Sequence, residues 1–456
     1  MRRQKDLTEG NIKQQLTSLT WPMLLGMMGI VVFNLVDTYF VGQLGVHELA
    51  AMSFTFPVVM LLNSLSLGIG IGTSSLISRH IIKAEREVVK RMGSHALLLG
   101  FIVVTLVVVA GLLTIRPVFA AMGAEGEILG FVEDYMSIWY LGVPFVLFPM
   151  IGNNILRATG DTFTPGMIML ASGVFNAVLD PLFIFGYASF PEMGIKGAAV
   201  ATVIARSSSF AIIAWVLTRK VQLVTRHLGR MREMLSTWRS IIHIAGPATL
   251  TMLIIPVSVG VITKILAGFG KEAVAAFGVA TRVEMFALMV VMALGSVLVI
   301  YAGQNLSKHK YQRIIDAVRL SARFSMLWGG VVFILLFFFG AFVAGLFTDD
   351  AAVVEITHTY FLIVAMSYGF QGLVVMSTST FNGLNRPYPS AAFSVLRMVV
   401  LYLPLAWIGS RVFGISGVFW AAFIANVIAG AFSLLYLFRM IREMQTKMQL
   451  DAEVEG

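Results

Sequence analysis

Twelve apolar runs leave this chain one class of architecture. They lie at approximately 16–41, 49–78, 96–115, 128–151, 162–187, 195–218, 241–268, 274–304, 320–347, 353–379, 388–410 and 414–438, each near or above the ~20 residues that a helix needs to cross a bilayer. Backbone in hydrocarbon has no water to bond with, so runs of this length are read as helices. Composition agrees: 58% of the 456 residues are hydrophobic and 12% charged, and the mean hydropathy is +0.85. The reading is an all-α polytopic membrane protein with twelve transmembrane helices. With no cysteine in the chain, disulfides, thiolate metal sites and a Cys nucleophile are excluded.

Charge sets the orientation. The formal charge of +9 sits mostly in short loops between runs, so it reflects topology rather than nucleic-acid binding. The N-terminal tail, the even-numbered loops (Arg79 to Arg91, Arg157, Arg219 to Arg239, Lys308 to Arg323, Arg386) and the C-terminal tail carry most Lys and Arg. Only Arg116, Lys196, Lys271 and Arg411 fall in odd-numbered loops. By the positive-inside rule both termini are expected in the cytoplasm. Residues 1–15 are polar, and the run that follows is long enough to span, so no cleavable signal is expected.

The longest basic loop, between runs six and seven, divides two similar halves, 1–225 and 226–456. At an offset of about 225, Pro22 matches Pro247, Gly45 matches Gly270, and Ala50 and Ala51 match Ala275 and Ala276. Leu179, Asp180, Pro181 and Leu182 align with Tyr402, Leu403, Pro404 and Leu405, and the corner at Gly194 and Gly197 with Gly414 and Gly417. Six spans per half make the repeats parallel, two six-helix bundles related by a pseudo-two-fold along the membrane normal, as in secondary transporters.

The repeat separates scaffold from specialised residues. Pro22 and Pro181 persist in both halves, whereas Asn34 and Asp37 face Val259 and Ile262, and Asn176 and Asp180 face Val399 and Leu403. The acidic cluster therefore belongs to the N-terminal half. A carboxylate within a span costs roughly 2.5–3.5 kcal/mol on insertion scales, which marks it as functional by default. Asn34 and Asp37 are three apart and Asn176 and Asp180 four apart, so each pair shares a helix face. If runs one and five are neighbours, two carboxylates and two amides converge in a small dry site. Desolvation and like-charge crowding disfavour ionising the second carboxylate, so the site takes up a proton; its oxygens equally suit a small hard cation such as Na+. Pro22, Gly26 and Gly29 weaken the ladder of the first helix, and Pro22 with Gly26 is a candidate hinge.

The first helix running into Val36 to Gly45, the Leu156 to Thr162 loop and the Asn176, Asp180, Pro181 set together resemble the multidrug and toxic compound extrusion (MATE) family of the MOP superfamily, with an acidic cluster like that of its DinF-type branch. The resemblance implies a V-shaped pair of bundles and antiport of organic cations or amphipathic toxins against H+ or Na+. Asp37 would be the leading coupling residue, with Asn176 and Asp180 as partners and Thr202 and Tyr140 extending the network; Asp37, Asn176, Asp180 and Thr202 are the positions for Na+, and no metal site is assigned firmly. NorM-type members carry acidic residues in the membrane part of helices seven and ten of the C-terminal half; here run seven has none and run ten has Gln371 in its middle, with Glu355 only at its start, which puts a C-terminal sodium site in doubt. Lys264, Arg282 and Glu284 are the charges there, and Arg282 and Glu284, two apart, each need a partner elsewhere.

The expected activity is proton-coupled multidrug antiport by alternating access, with Na+ coupling or flipping of a lipid-linked precursor as alternatives. The latter would need a cationic cavity, for which only Lys264, Arg282, Arg206 and Arg397 are available. No catalytic constellation or phosphate loop appears, so the chain is read as a transporter and not an enzyme. No cofactor is expected beyond the coupling ion. Its partners are small-molecule drugs and the bilayer, with no nucleic acid. A monomer in a prokaryotic inner membrane completes the reading. The 26 Met and 34 Phe suit promiscuous binding of flat or cationic amphiphiles.

Overall fold

The computed structural model describes the backbone of residues 6–44, 46–82, 85–187 and 191–455, and the side chains of these except 30, 32–35, 38, 42, 46–50, 52–53, 56 and 451–455. Helices follow one another throughout: α1 Ile12–Gly42, α2 Val46–His80, α3 Arg86–Ala121, α4 Gly126–Ala158, α5 Phe163–Ile184 and α6 Ile195–Trp215, which runs on into a π-helical turn Val216–Lys220. Then come α7 Met231–Ala267, α8 Lys271–Ser307, α9 Tyr311–Gly345, α10 Ala351–Val364, a 3-10 turn Ala365–Ser367, α11 Tyr368–Gly383, α12 Pro387–Val395, a π-helical turn Leu396–Tyr402, and α13 Leu403–Glu455. Among the described residues ten helical stretches are long and apolar enough to cross a membrane. The last of these, Pro387–Leu450, is two legs broken at Gly414, where φ 62° and ψ −142° leave the helical region.

Two compact units divide the described residues: Trp21–Ala245 form one, and Asp6–Thr20 with the residues from Gly246 onward form the other. The boundary falls inside α7, beyond the basic loop at which the sequence suggests 225/226. The α1 helix begins in one unit and continues in the other.

In the first unit α4 is the central element, packing on α2, α3 and α6. Its Ile151, Ile155 and Leu156 are fully buried. The α4–α5 corner is set by local chemistry: Asp161 accepts from the backbone N–H of Thr164 (3.0 Å) and from its hydroxyl (2.7 Å), satisfying a donor that the start of α5 would otherwise leave bare. The loop 221–230 is held against α3, where Ser94 donates to Thr225 O, His95 Nε2 meets Leu228 O at 2.7 Å, and Trp238 donates to His95 O.

In the second unit α11 is central, against α8, α9 and α13. Leu7 is buried there: its N–H donates to Gln304 Oε1 (3.0 Å), its carbonyl accepts from Asn305 Nδ2 (3.2 Å), and Arg313 donates to Gly10 O (3.0 Å). The segment before α1 is thus clasped onto α8 and α9.

The internal repeat is visible in the backbone. The α4 span 126–158 and the α10–α11 span 351–383 correspond at an offset of 225. Gly194, with φ 55° and ψ −132°, and Gly414 make the same corner before the last helix of each half. Glycine is required at both, because a Cβ is not tolerated in that region.

Candidate functional site

The site is built where α1 and α5 run almost backbone to backbone. A Cβ added at Gly166 would lie 2.2 Å from Pro22 O, one at Gly26 would lie 2.9 Å from Gly166 Cα, and one at Gly29 would lie 2.8 Å from Leu170 Cα. Helices one and five are therefore neighbours. Gly26 has a packing role here: it lets α1 approach α5. Carrying the register upward in whole turns brings Asp37 level with the Asn176–Asp180 turn. On the other side of α5, Ser172 donates to Ala205 O (3.2 Å), which in an antiparallel pair sets Thr202 of α6 opposite Asn176.

Asp180 and Asn176 are fully buried, and Asp37 and Thr202 are each 6% exposed. Asn176 Nδ2 donates to Asp180 Oδ1 at 3.1 Å. Four further buried oxygens, Asp37 Oδ1, Asn176 Oδ1, Asp180 Oδ2 and Thr202 Oγ1, have no hydrogen-bond partner among the described residues. Buried polar atoms are nearly always partnered. Three of these, the carboxylate oxygens of Asp37 and Asp180 and the amide oxygen of Asn176, can only accept when the acids are ionised, which makes a site on α1 and α5 that is short of positive charge or protons. The side chain of Asn34 lies outside the described residues.

Two residues absent from the predicted site belong to it. Tyr135 of α4, 4% exposed, lies within electrostatic reach of Asp37, Asp180 and Arg206, and Arg206 of α6 interacts with Asp37. Tyr140 is also buried, but it packs its ring on α3, where a Cβ on Gly111 would touch its Cε1 at 2.3 Å. Five positions along a helix turn the side chain by about 140°, so α4 presents Tyr135 and Tyr140 to different neighbours. The signal that would have found Tyr135 is the repeat itself, because Tyr360 stands 225 positions on.

The second unit has a polar cluster of its own. Glu284 of α8 accepts from Tyr360 Oη through Oε2 and from Gln371 Nε2 through Oε1 (3.0 Å). Arg397, on the π-helical turn, donates to Asn426 Oδ1 (3.1 Å), and Asn426 donates to Ser367 Oγ (2.9 Å). Glu284 also interacts electrostatically with Arg397, Tyr368 and Tyr402. Glu284 thus finds partners on other helices, while Lys264 and Arg282 are exposed.

An all-helical, twice-repeated chain of membrane-spanning helices with buried charges in each unit is a multi-pass membrane transporter. The MatE family model matches it twice, at residues 22–182 and 247–408, and the chain belongs to the MATE family. It is 38% identical to a FAD transporter of Shewanella oneidensis, over 94% of this chain and 95% of that one. It is 28% identical to the multidrug export protein MepA of Staphylococcus saprophyticus, over 92% of each. The Vibrio cholerae MATE transporter VcmN in its bent form superposes with a TM-score of 0.90 at 33% identity, over 95% of this chain and 97% of that one. MATE structural neighbours have twelve helices in two bundles, the architecture the apolar runs predict.

Proposed function

We propose that this chain is a cation-coupled exporter of amphipathic or cationic organic compounds, with Asp37 as the coupling carboxylate. The observation that carries the proposal is the set of four buried, unmatched oxygens around Asp37 and Asp180. Such a set is stabilised by taking up one positive charge and destabilised by losing it. A proton serves this role best. Arg206 already supplies one fixed cation beside Asp37, which weakens the field available to hold Na+, and a proton on either carboxylate also provides a missing hydrogen-bond donor. Na+ at Asp37, Asn176, Asp180 and Thr202 is the second reading, favoured by the same oxygens as hard ligands.

On this account cation uptake from outside repacks α1 against α5, where Pro22 interrupts the ladder, and the substrate is expelled before the cation leaves to the cytoplasm. Both termini are cytoplasmic, and the protein works as a monomer in a prokaryotic inner membrane. The relative named a FAD transporter adds flavin-type dinucleotides to the substrates worth testing beside drugs. Flipping of a lipid-linked phosphate is the weaker alternative, because Arg206 and Arg397 are engaged with carboxylates of their own units. Efflux from proteoliposomes under a proton gradient alone and a sodium gradient alone decides the ion. Movement that follows only sodium would replace H+ with Na+, and movement that ignores both would remove the proposal.

A further inference from the structure

The Glu284 cluster differs from the Asp37 cluster in a way that defines what it would bind. In the first unit the two carboxylates Asp37 and Asp180 outnumber Arg206, the arginine that interacts with Asp37. In the second unit the carboxylate is satisfied at both oxygens, by Tyr360 and Gln371, and Arg397 offsets its charge. Two donors of this cluster are left over. Arg397 Nε and Tyr368 Oη are buried without a hydrogen-bond partner among the described residues, and Tyr368 is only 1% exposed. A guanidinium Nε can only donate, and a phenol beside a carboxylate is best placed as a donor.

The internal repeat relates the positions of the two clusters. Tyr360 corresponds to Tyr135 at the offset of 225, and Asn426 corresponds to Arg206 at the 220 that relates Gly414 to Gly194. The same frame thus holds a cation at position 206 in one unit and an amide at 426 in the other. Access also differs within the cluster: Tyr360, Tyr368, Ser367 and Asn426 are buried, whereas Glu284, Gln371 and Arg397 at its edge are partly exposed. Aromatic rings flank it, with Tyr360 meeting Phe419 edge-on at 5.0 Å and Phe277 at 6.1 Å.

We infer that Arg397 and Tyr368 form a substrate subsite for an uncharged hydrogen-bond acceptor, the carbonyl of an amide or imide on a flat heteroaromatic compound. Arg397 and Glu284 offset each other, so the cluster has no net charge with which to select an ion, while a neutral carbonyl matches the two unmatched donors and lies among aromatic edges. This rests on the export function proposed above and names one chemical class among its substrates. The subsite leaves coupling to the first unit.

The test is binding without any ion gradient, on the purified full chain in detergent, with two probes. Riboflavin carries an imide and is uncharged at neutral pH; tetraphenylphosphonium is cationic and has no hydrogen-bonding group. Tyr368→Phe, which removes only the hydroxyl, should weaken riboflavin binding by about five- to tenfold, the loss expected for one hydrogen bond, and leave tetraphenylphosphonium binding unchanged. Arg397→Lys keeps the charge opposite Glu284, removes Nε and should act the same way, so the test survives if either variant fails to fold. Equal losses for both probes, no loss for riboflavin, or wild-type protein that does not bind riboflavin would each overturn the subsite. Because no gradient is used, failure here leaves the role of Asp37 standing, and loss of coupling at Asp37 leaves this result readable.

Discussion

Tyr135 and Tyr360 stand 225 positions apart at matching places in the two copies of one helix, and each is buried beside the carboxylate of its own unit. The carboxylates themselves do not correspond: Asp37 lies on α1 and Asp180 on α5, but Glu284 lies on α8. The phenol is the shared part of the frame, and the acid it faces is what differs between units. Its value in both places is that of an amphipathic side chain, with a ring that packs among apolar neighbours and a hydroxyl that serves a charge.

Tyr135→Phe removes only the hydroxyl that lies within electrostatic reach of Asp37, Asp180 and Arg206, and should therefore slow gradient-driven export by about tenfold while leaving the fold intact. Tyr140→Ala should do the reverse. It leaves a cavity against Gly111 and lowers stability by about 3 kcal/mol, read as a drop in the thermal unfolding midpoint of the purified protein.

Gly166→Ala should separate α1 from α5. The added Cβ would meet Pro22 O at 2.2 Å, a backbone atom that cannot swing away, so a cost of about 1–3 kcal/mol is expected together with loss of transport. Gly130→Ala, where nothing lies within 4 Å, is the matched control and should be neutral or slightly stabilising. Thermal unfolding of the two variants side by side checks this.

Arg397→Met leaves Glu284 without its compensating charge, and Glu284→Gln leaves Arg397 without its own. Each single change should destabilise the protein, and the double variant should recover part of the loss. The expected coupling is about 1 kcal/mol in a double-mutant cycle, measured by denaturation in detergent. Simple additivity would show that the two charges do not sense each other.

The clasp before α1 should respond to acid. Burial tends to raise the Asp6 carboxyl, but hydrogen bonds from the Thr8 side chain and backbone, with the charges of Lys308 and Lys310, outweigh it and hold the group below the usual carboxylate range. A depressed folded-state value means that the ionised carboxylate supports the clasp above the ordinary value of about 3.9, and that this support is lost as pH falls through the lower folded value. Hydrogen exchange at Leu7 and Thr8, corrected for the intrinsic rate, should stay constant from neutral pH to about 5 and rise only below 4. Asp6→Asn should show the faster exchange at every pH.

How much of this was legible depended on how local the signal was. Apolar runs, the basic loops and the repeat lie in consecutive residues, and the three- and four-residue spacings on runs one and five needed only helix geometry to put each pair on one face. The neighbourhood of those two helices rests on Gly26 and Gly29, which read first as weak points of a helix and in the structure are its contact surface, and on Gly166 of α5, which carried no signal of its own in the sequence. Tyr135 was hidden because α4 is apolar nearly all round and has no single buried face, so the choice between Tyr135 and Tyr140 needed the third dimension. The partners of Glu284 were out of reach for the same reason: Tyr360, Gln371 and Arg397 come from three other segments, and α8 alone does not reveal them.

The central claim is that Asp37 couples substrate movement to a cation. Proteoliposomes holding wild-type protein or Asp37→Asn, loaded with a transported dye and given an imposed proton gradient, test it most directly when gradient-driven efflux and gradient-free dye exchange are followed in the same preparation. The account predicts that Asp37→Asn exchanges dye but shows no acceleration by the gradient. Gradient-driven efflux at the wild-type rate in Asp37→Asn would contradict it.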